Sequence, residues 1–156
     1  MDEVIRRFAA HRVRYLLIGG QAMRLAGMPR FSMDWDFFIP PRDAANLRRI
    51  EAALGDELDC PLDALGPHGE NAIQTYQTQW GVIQFHLGGP GLPAFEIAEQ
   101  HAQTYATENG TPVLCLGLAD LLMSKVRAGR PQDLQDAEFL KRLQLRAAQD
   151  RQPDKT

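Results

Sequence analysis

Residues 19–36 constrain this chain more than any other stretch. The apolar run Tyr15-Leu16-Leu17-Ile18 meets a glycine pair, Gly19-Gly20, which opens a helix-compatible segment. Gly27 can end that helix, and Pro29 prevents its continuation because its ring clashes with the preceding turn and it has no N–H to donate. A short link leads to Asp34 and Asp36, and the apolar run Phe37-Phe38-Ile39 follows. The order is strand, glycine turn, short helix, link, and a strand that carries paired acids. Glycines at a helix start let a phosphate approach backbone N–H groups. Strand residues two apart project to the same face, so Asp34 and Asp36 point together. Paired carboxylates repel each other unless a cation lies between them, and Mg²⁺ takes one or two such ligands. Solvated acids beside an ordinary turn are the competing explanation for each half of the pattern; the combination points to a site for a metal-bound nucleoside triphosphate. Ser32 can donate a hydrogen bond to a phosphate, and Arg30 can grip one bidentately.

Hydrophobic periodicity extends the pattern in both directions. Residues 2–11 read as an amphipathic helix that buries Val4, Ile5, Phe8 and Ala9. Strands are expected over 14–18 and 33–39, with a helix over 20–26 between them. Pro40-Pro41 stops the second strand, and Pro41 is expected in the first turn of a helix reaching about Leu54. Residues 55–70 form a loop with room for a helical turn. Paired strands follow over 72–78 and 82–87, then a break at Gly88-Gly89-Pro90-Gly91. Residues 95–106 fit either strand or helix. Asn109-Gly110 marks a turn before a strand over 111–116. Two helices are expected over 117–128, with Leu118, Leu121, Leu122 and Val126 inward, and over 132–147, with Leu134, Ala137, Leu140 and Leu143 inward. Residues 1–148 are expected to form one domain of the α/β (α+β) class, a mixed sheet flanked by helices, and 149–156 a flexible tail.

The net charge of −3 argues against nonspecific nucleic-acid binding by the whole molecule. Cys60 and Cys115 lie far apart without metal-ligand spacing, which fits a reduced, cytoplasmic protein. The start Met-Asp-Glu opposes a secretory signal. No apolar run approaches the roughly 18 residues needed to span a membrane.

Gly-Gly-x-Ala, then Gly27, Arg30, Ser32 and Asp34-x-Asp36, resembles the signature of the DNA polymerase beta-type nucleotidyltransferase superfamily. The likeness is to small prokaryotic members related to abortive-infection nucleotidyltransferase toxins. The segments Leu118-Ala119-Asp120-Leu121-Leu122-Met123-Ser124-Lys125 and Gly129-Arg130-Pro131-Gln132-Asp133-Leu134-Gln135-Asp136 resemble that group's helical ending. The resemblance covers roughly residues 12–140. It implies a nucleotidyltransferase fold, with Gly19 and Gly20 touching the triphosphate, Asp34 and Asp36 holding Mg²⁺ or Mn²⁺, and Lys125 approaching the phosphates. Asp133 and Asp136 are expected to cap and salt-bridge the last helix, where an acid in the first turn suits the helix dipole.

The chain departs from the family at the third acid. Family members place another carboxylate on a later strand; here that stretch is Val82-Ile83-Gln84-Phe85-His86-Leu87. Alternation puts Gln84 and His86 on the site face and Ile83, Phe85 and Leu87 on the core face. Gln84 cannot act as a base. His86 can, and its imidazole accepts Mn²⁺ better than Mg²⁺. Glu96, beyond the Gly-Gly-Pro-Gly break, is another candidate for the missing charge.

The sequence therefore describes a protein that binds a nucleoside triphosphate such as ATP with Mg²⁺ or Mn²⁺ and passes a nucleoside monophosphate to an acceptor hydroxyl. Asp34, Asp36 and His86 are its candidate catalytic residues. RNA, a protein side chain and a small molecule all remain open as the acceptor. The alternatives are a catalytically degenerate nucleotide-binding module and a toxin–antitoxin component that works by binding a partner protein.

Overall fold

The strand–turn–helix–strand unit sits at the centre of a mixed six-stranded sheet in the computed structural model, which describes residues 2–151. The strands are β1 (Leu16–Ile18), β2 (Trp35–Phe38), β3 (Ile73–Thr78), β4 (Gly81–His86), β5 (Gln103–Ala106) and β6 (Pro112–Cys115), in spatial order β3-β4-β2-β1-β6-β5. β2 runs antiparallel to β1 and parallel to β4, with Asp36 opposite Ile18 on one side and Gln84 on the other. β3 and β5 form the edges as antiparallel partners of β4 and β6. The helices are α1 (Asp2–Ala10), α2 (Gly19–Leu25), α3 (Ala44–Leu54), α4 (Phe95–Gln100), α5 (Leu118–Ala128) and α6 (Pro131–Asp150).

Alternation along β2 and β4 separates a core face from a site face. Phe37 and Phe85 stack with ring centroids 6.0 Å apart, and Phe8 of α1 meets Phe37 edge-on at 5.1 Å. Tyr76 and Ile83 extend this layer and are buried. Asp36, Gln84 and His86 occupy the opposite face, as the period of two requires. Farther along that face, Phe38 packs edge-on against Phe95 of α4 at 5.2 Å. This aromatic layer fixes the register, because a one-residue slip would bury Asp36 and expose Phe37.

Several expectations need correction. α3 begins at Ala44 rather than near Pro41, because Asp43 caps it: its Oδ1 accepts the backbone N–H of Asn46 at 3.0 Å. Residues 95–106 hold both candidates, α4 and then β5. Val126 and Leu134, expected inward, are exposed, whereas Ala137 and Leu140 are buried as expected. α5 and α6 pack mainly on each other, so only part of each apolar stripe reaches the sheet. α6 extends into the expected tail as far as Asp150; residues 152–156 of that tail lie outside the described residues.

Both cysteines are free thiols, Cys60 exposed and Cys115 buried, where desolvation pushes its pKa up to about 12. Among the described residues no helix is long and apolar enough to cross a membrane.

The orientation of α6 has a direct test. Leu140→Ala should destabilise the protein by about 2–5 kcal/mol, whereas Leu134→Ala should change stability by less than about 0.5 kcal/mol. Equal effects in thermal and urea denaturation would contradict this orientation.

Candidate active site

The turn between β1 and α2 is shaped by what the glycines lack. Gly19 has φ of +68°, and a Cβ there would overlap the Asp36 carboxylate. Gly20 has an ordinary φ, but its Cβ would lie 2.7 Å from the Ser32 Cβ. Each missing side chain is thus replaced by a polar group arriving from the β2 side. Gln21, buried at the start of α2, donates from Nε2 to the Ser32 carbonyl at 2.7 Å and anchors the link. Sequence reasoning missed Gln21; its signal was a polar side chain on the inward face of a short helix.

These residues open onto a cleft of about 580 Å³. Every candidate site residue lines it: Gly19, Gly20, Arg30, Ser32, Asp34, Asp36, His86 and Lys125. Asp36 and His86 touch directly, with Nε2 at 2.8 Å from Oδ1. Facing an ionised Asp36, which only accepts, Nε2 is the donor of this pair, and in that tautomer Nδ1 is the ring's acceptor. Ser32 Oγ donates weakly to the Asp34 carbonyl at 3.5 Å, and that bond is readily exchanged for a better acceptor.

The cations of the cleft are held by a buried ion network. Lys125 Nζ lies 2.8 Å from Asp136 and 3.3 Å from Asp133, and all three side chains are almost fully buried. Arg30 Nη1 pairs with the same Asp136. Asp133 also receives the Arg130 Nε at 2.6 Å and the Arg130 backbone N–H at 3.3 Å, which closes the N-terminal cap of α6. Burial acts to raise the Asp133 pKa, but hydrogen bonds and charge from Arg130 and Lys125 outweigh it and hold the carboxyl below its usual range. Asp133 and Asp136 do cap and salt-bridge the helix, as expected. Their depth was not anticipated. Its sequence signal is the i, i+3 spacing that puts both acids on one helix face near Ala137 and Leu140.

Among the described residues, the third carboxylate that lines the cleft, Asp133, is paired with Lys125 and Arg130, and no acid stands on β4 beside Asp36. Gln84 lines the cleft opposite Asp36, as alternation requires. Glu96 is exposed on α4 and does not line the cleft, so it does not supply the missing charge. Among the described residues, no group of three or more His, Cys, Asp and Glu side chains is arranged to hold a metal. Two carboxylates match the one or two that a Mg²⁺ ion takes from a protein, and the set lacks the acid for a fuller protein cage.

With this geometry in view, the solved structures are informative. A Thermotoga maritima protein described as a candidate nucleotidyltransferase matches with a TM-score of 0.62 over 92% of this chain and 89% of that one, at 14% identity. The chain has the nucleotidyltransferase fold. At that identity the likeness establishes fold alone. The antibiotic-resistance factor ANT(2'')-Ia is a more distant match, with TM-score 0.48 and 15% identity over 94% of this chain and 90% of that one. No family model matches the sequence, and no curated protein does.

Two substitutions probe the ion network. Asp136→Ala takes the carboxylate from Arg30 and leaves the buried Lys125 ammonium only its longer contact with Asp133, and should cost about 3–5 kcal/mol in thermal denaturation. Asp133 has a depressed folded-state pKa, so its contribution is present above the unfolded carboxyl pKa and is lost as pH falls through the folded value. Asp133→Asn should therefore be less stable than wild type at neutral pH, with the gap closing in acid below about pH 4. A gap that stays constant down to pH 2 would rule out the ionised pairing.

Proposed function

We propose that the cleft binds a nucleoside triphosphate with one Mg²⁺ or Mn²⁺ and that the chain transfers a nucleoside monophosphate to an acceptor hydroxyl. The observation that carries this reading is the convergence of Asp34, Asp36, the Gly19-Gly20 turn, Arg30 and Lys125 on one cleft, with the Arg30 guanidinium beside Gly20. The acids suit a cation, and the guanidinium and ammonium groups suit phosphate oxygens. Because Gly19 and Gly20 carry no side chains, the Ser32 hydroxyl and the Arg30 guanidinium reach the start of α2, where both can donate to phosphate. The metal, when bound, would neutralise charge on the phosphates and on the leaving pyrophosphate. Asp34 and Asp36 would hold it, with His86 fixing Asp36 through the oxygen that does not face Gly19.

In the transfer, the acceptor oxygen forms a bond to the α-phosphorus and the bond from that phosphorus to the β-bridging oxygen breaks. Pyrophosphate leaves with the electron pair, and the hydroxyl proton passes to Nδ1 of His86. Arg30 and Lys125 are already fixed by Asp136, so little side-chain ordering is left to be done when phosphate arrives. The kinship with abortive-infection nucleotidyltransferases belongs to this reading and rests on the Lys125 and Arg130-Pro131-Gln132-Asp133 segments.

Gln84 at the third-acid position favours a second reading, a nucleotide-binding module that no longer transfers. Incubating the protein with α-labelled ATP, Mg²⁺ or Mn²⁺ and cell extract separates the two: a labelled product supports the enzyme, and ATP binding without product supports the module.

Asp34→Asn should lose most of the metal-dependent ATP-binding heat in calorimetry; equal affinities for mutant and wild type would remove the metal assignment. His86→Ala should lower kcat by about a hundredfold or more as a lost base and weaken metal binding by about tenfold through the freed Asp36. Gln84→Asp should tighten divalent-metal binding and lower the apo melting temperature, because three like charges would then converge. Unchanged metal affinity in Gln84→Asp would place this strand away from the metal.

A further inference from the structure

Gly88 lines the cleft two residues beyond His86, and the fold gives it no reason to be glycine. Its φ is not in the left-handed region, and a Cβ there would meet nothing within 4 Å. Gly91, three residues on, is the contrast: its φ is +70°, and a Cβ would lie 2.5 Å from the Met123 carbonyl oxygen. The backbone and its neighbours thus require Gly91, while Gly88 only keeps space open beside the proposed base. Gly89 is similar, with only an ordinary van der Waals contact to Leu92 awaiting a Cβ.

The wall carries no formal charge: no acid, lysine or arginine of residues 50–124 lines the cleft. All seventeen lysines and arginines lie in residues 1–49 and 125–156, and residues 50–124 contain ten acids and no lysine or arginine. That segment supplies the whole β4 side of the cleft, including Ile73, Gln84, Gly88, Gly89, Pro90 and Leu92. The cleft cations Arg30, Lys125 and Arg130 come from the other two segments. A nucleic-acid strand carries a phosphate at every nucleotide and is bound mainly through lysine and arginine. This wall offers it none.

Building on the transferase reading above, we propose that the space over Gly88 and Gly89 seats the acceptor, and that the acceptor is a hydroxyl on an uncharged or cationic carrier rather than a nucleic acid. Its oxygen approaches the α-phosphorus from the His86 side, gives its proton to Nδ1 and displaces pyrophosphate. The apolar Ile73, Pro90 and Leu92 then contact the carrier without demanding charge.

The test uses the full chain with α-labelled ATP, Mg²⁺ and three probes: a serine- and lysine-rich peptide, glucosamine, and total cellular RNA. Wild type should label the peptide or glucosamine, which distinguishes a protein from a small-molecule source, and leave RNA unlabelled. Gly88→Leu should cut that transfer by about a hundredfold, since misplacement by an ångström costs that much. Its melting temperature and its ATP affinity by calorimetry should stay at wild-type values. Gly88→Ala serves if the leucine variant does not fold, with a smaller loss in the same direction. Labelling of RNA, or of none of the probes by a protein that binds ATP, overturns the inference. So does undiminished transfer by Gly88→Leu, or loss of ATP binding in either variant, which would make this space a nucleotide subsite. A wild type that binds no ATP instead removes the transferase reading itself.

Discussion

The close approach of the Asp36 carboxylate to Gly19 is the contact on which the rest of the site depends. β2 is held between β1 and β4, so Asp36 must fall beside the turn that follows Ile18. Any side chain at Gly19 would occupy the carboxylate's volume. The same steric economy repeats one residue on, where Ser32 fills the space a Gly20 side chain would take. The glycine pair is thus structural before it is functional: it lets an acid and a hydroxyl stand at the mouth of a helix N-terminus.

The second organising interaction is electrostatic and long-range in sequence. Arg30, on the link before β2, and Asp136, on α6, are separated by 106 positions and form an ion pair. Lys125 joins them from α5 with almost no exposure. Burying charge is costly, and pairing within low-dielectric surroundings must offset that cost. Such a network therefore contributes more to fixing geometry than to net stability. It positions the guanidinium of Arg30 near Gly20 and keeps an ammonium facing the cleft. Asp136 Oδ1 and the Arg30 Nε are buried and make no hydrogen bond within the protein. Of these two atoms, the Arg30 Nε can still donate a hydrogen bond, whereas Asp136 Oδ1 can only accept one.

Charge is also distributed unevenly across the molecule. The two chain ends carry every lysine and arginine, and the middle carries only acids and histidines among its ionisable side chains with charge near neutrality. Folding brings the ends together on one side of the cleft through β1–α2–β2 and α5–α6, and leaves the β3–β4 side without a lysine or arginine. The net charge of −3 conceals this polarity.

Much of the design was legible in the sequence because short-range rules governed it. Alternation correctly placed Gln84 and His86 on the site face and Ile83 and Phe85 in the core, since a strand's period of two follows from backbone geometry alone. The glycine pair and the two acids located the cleft, because turn and strand chemistry are local. Tertiary packing decided the remainder. Leu134 and Val126 carry helical apolar periodicity yet are exposed, because α5 and α6 turn part of those stripes away from the core. Residues 95–106 divide between α4 and β5, where β6 supplies partners for the strand. The union of Asp36 with His86, and of Arg30 and Lys125 with Asp136, required chain segments far apart in sequence to meet. Local propensity carries no information about such meetings, because the desolvation and pairing energies that fix them exist only once the sheet and the last helix have packed together.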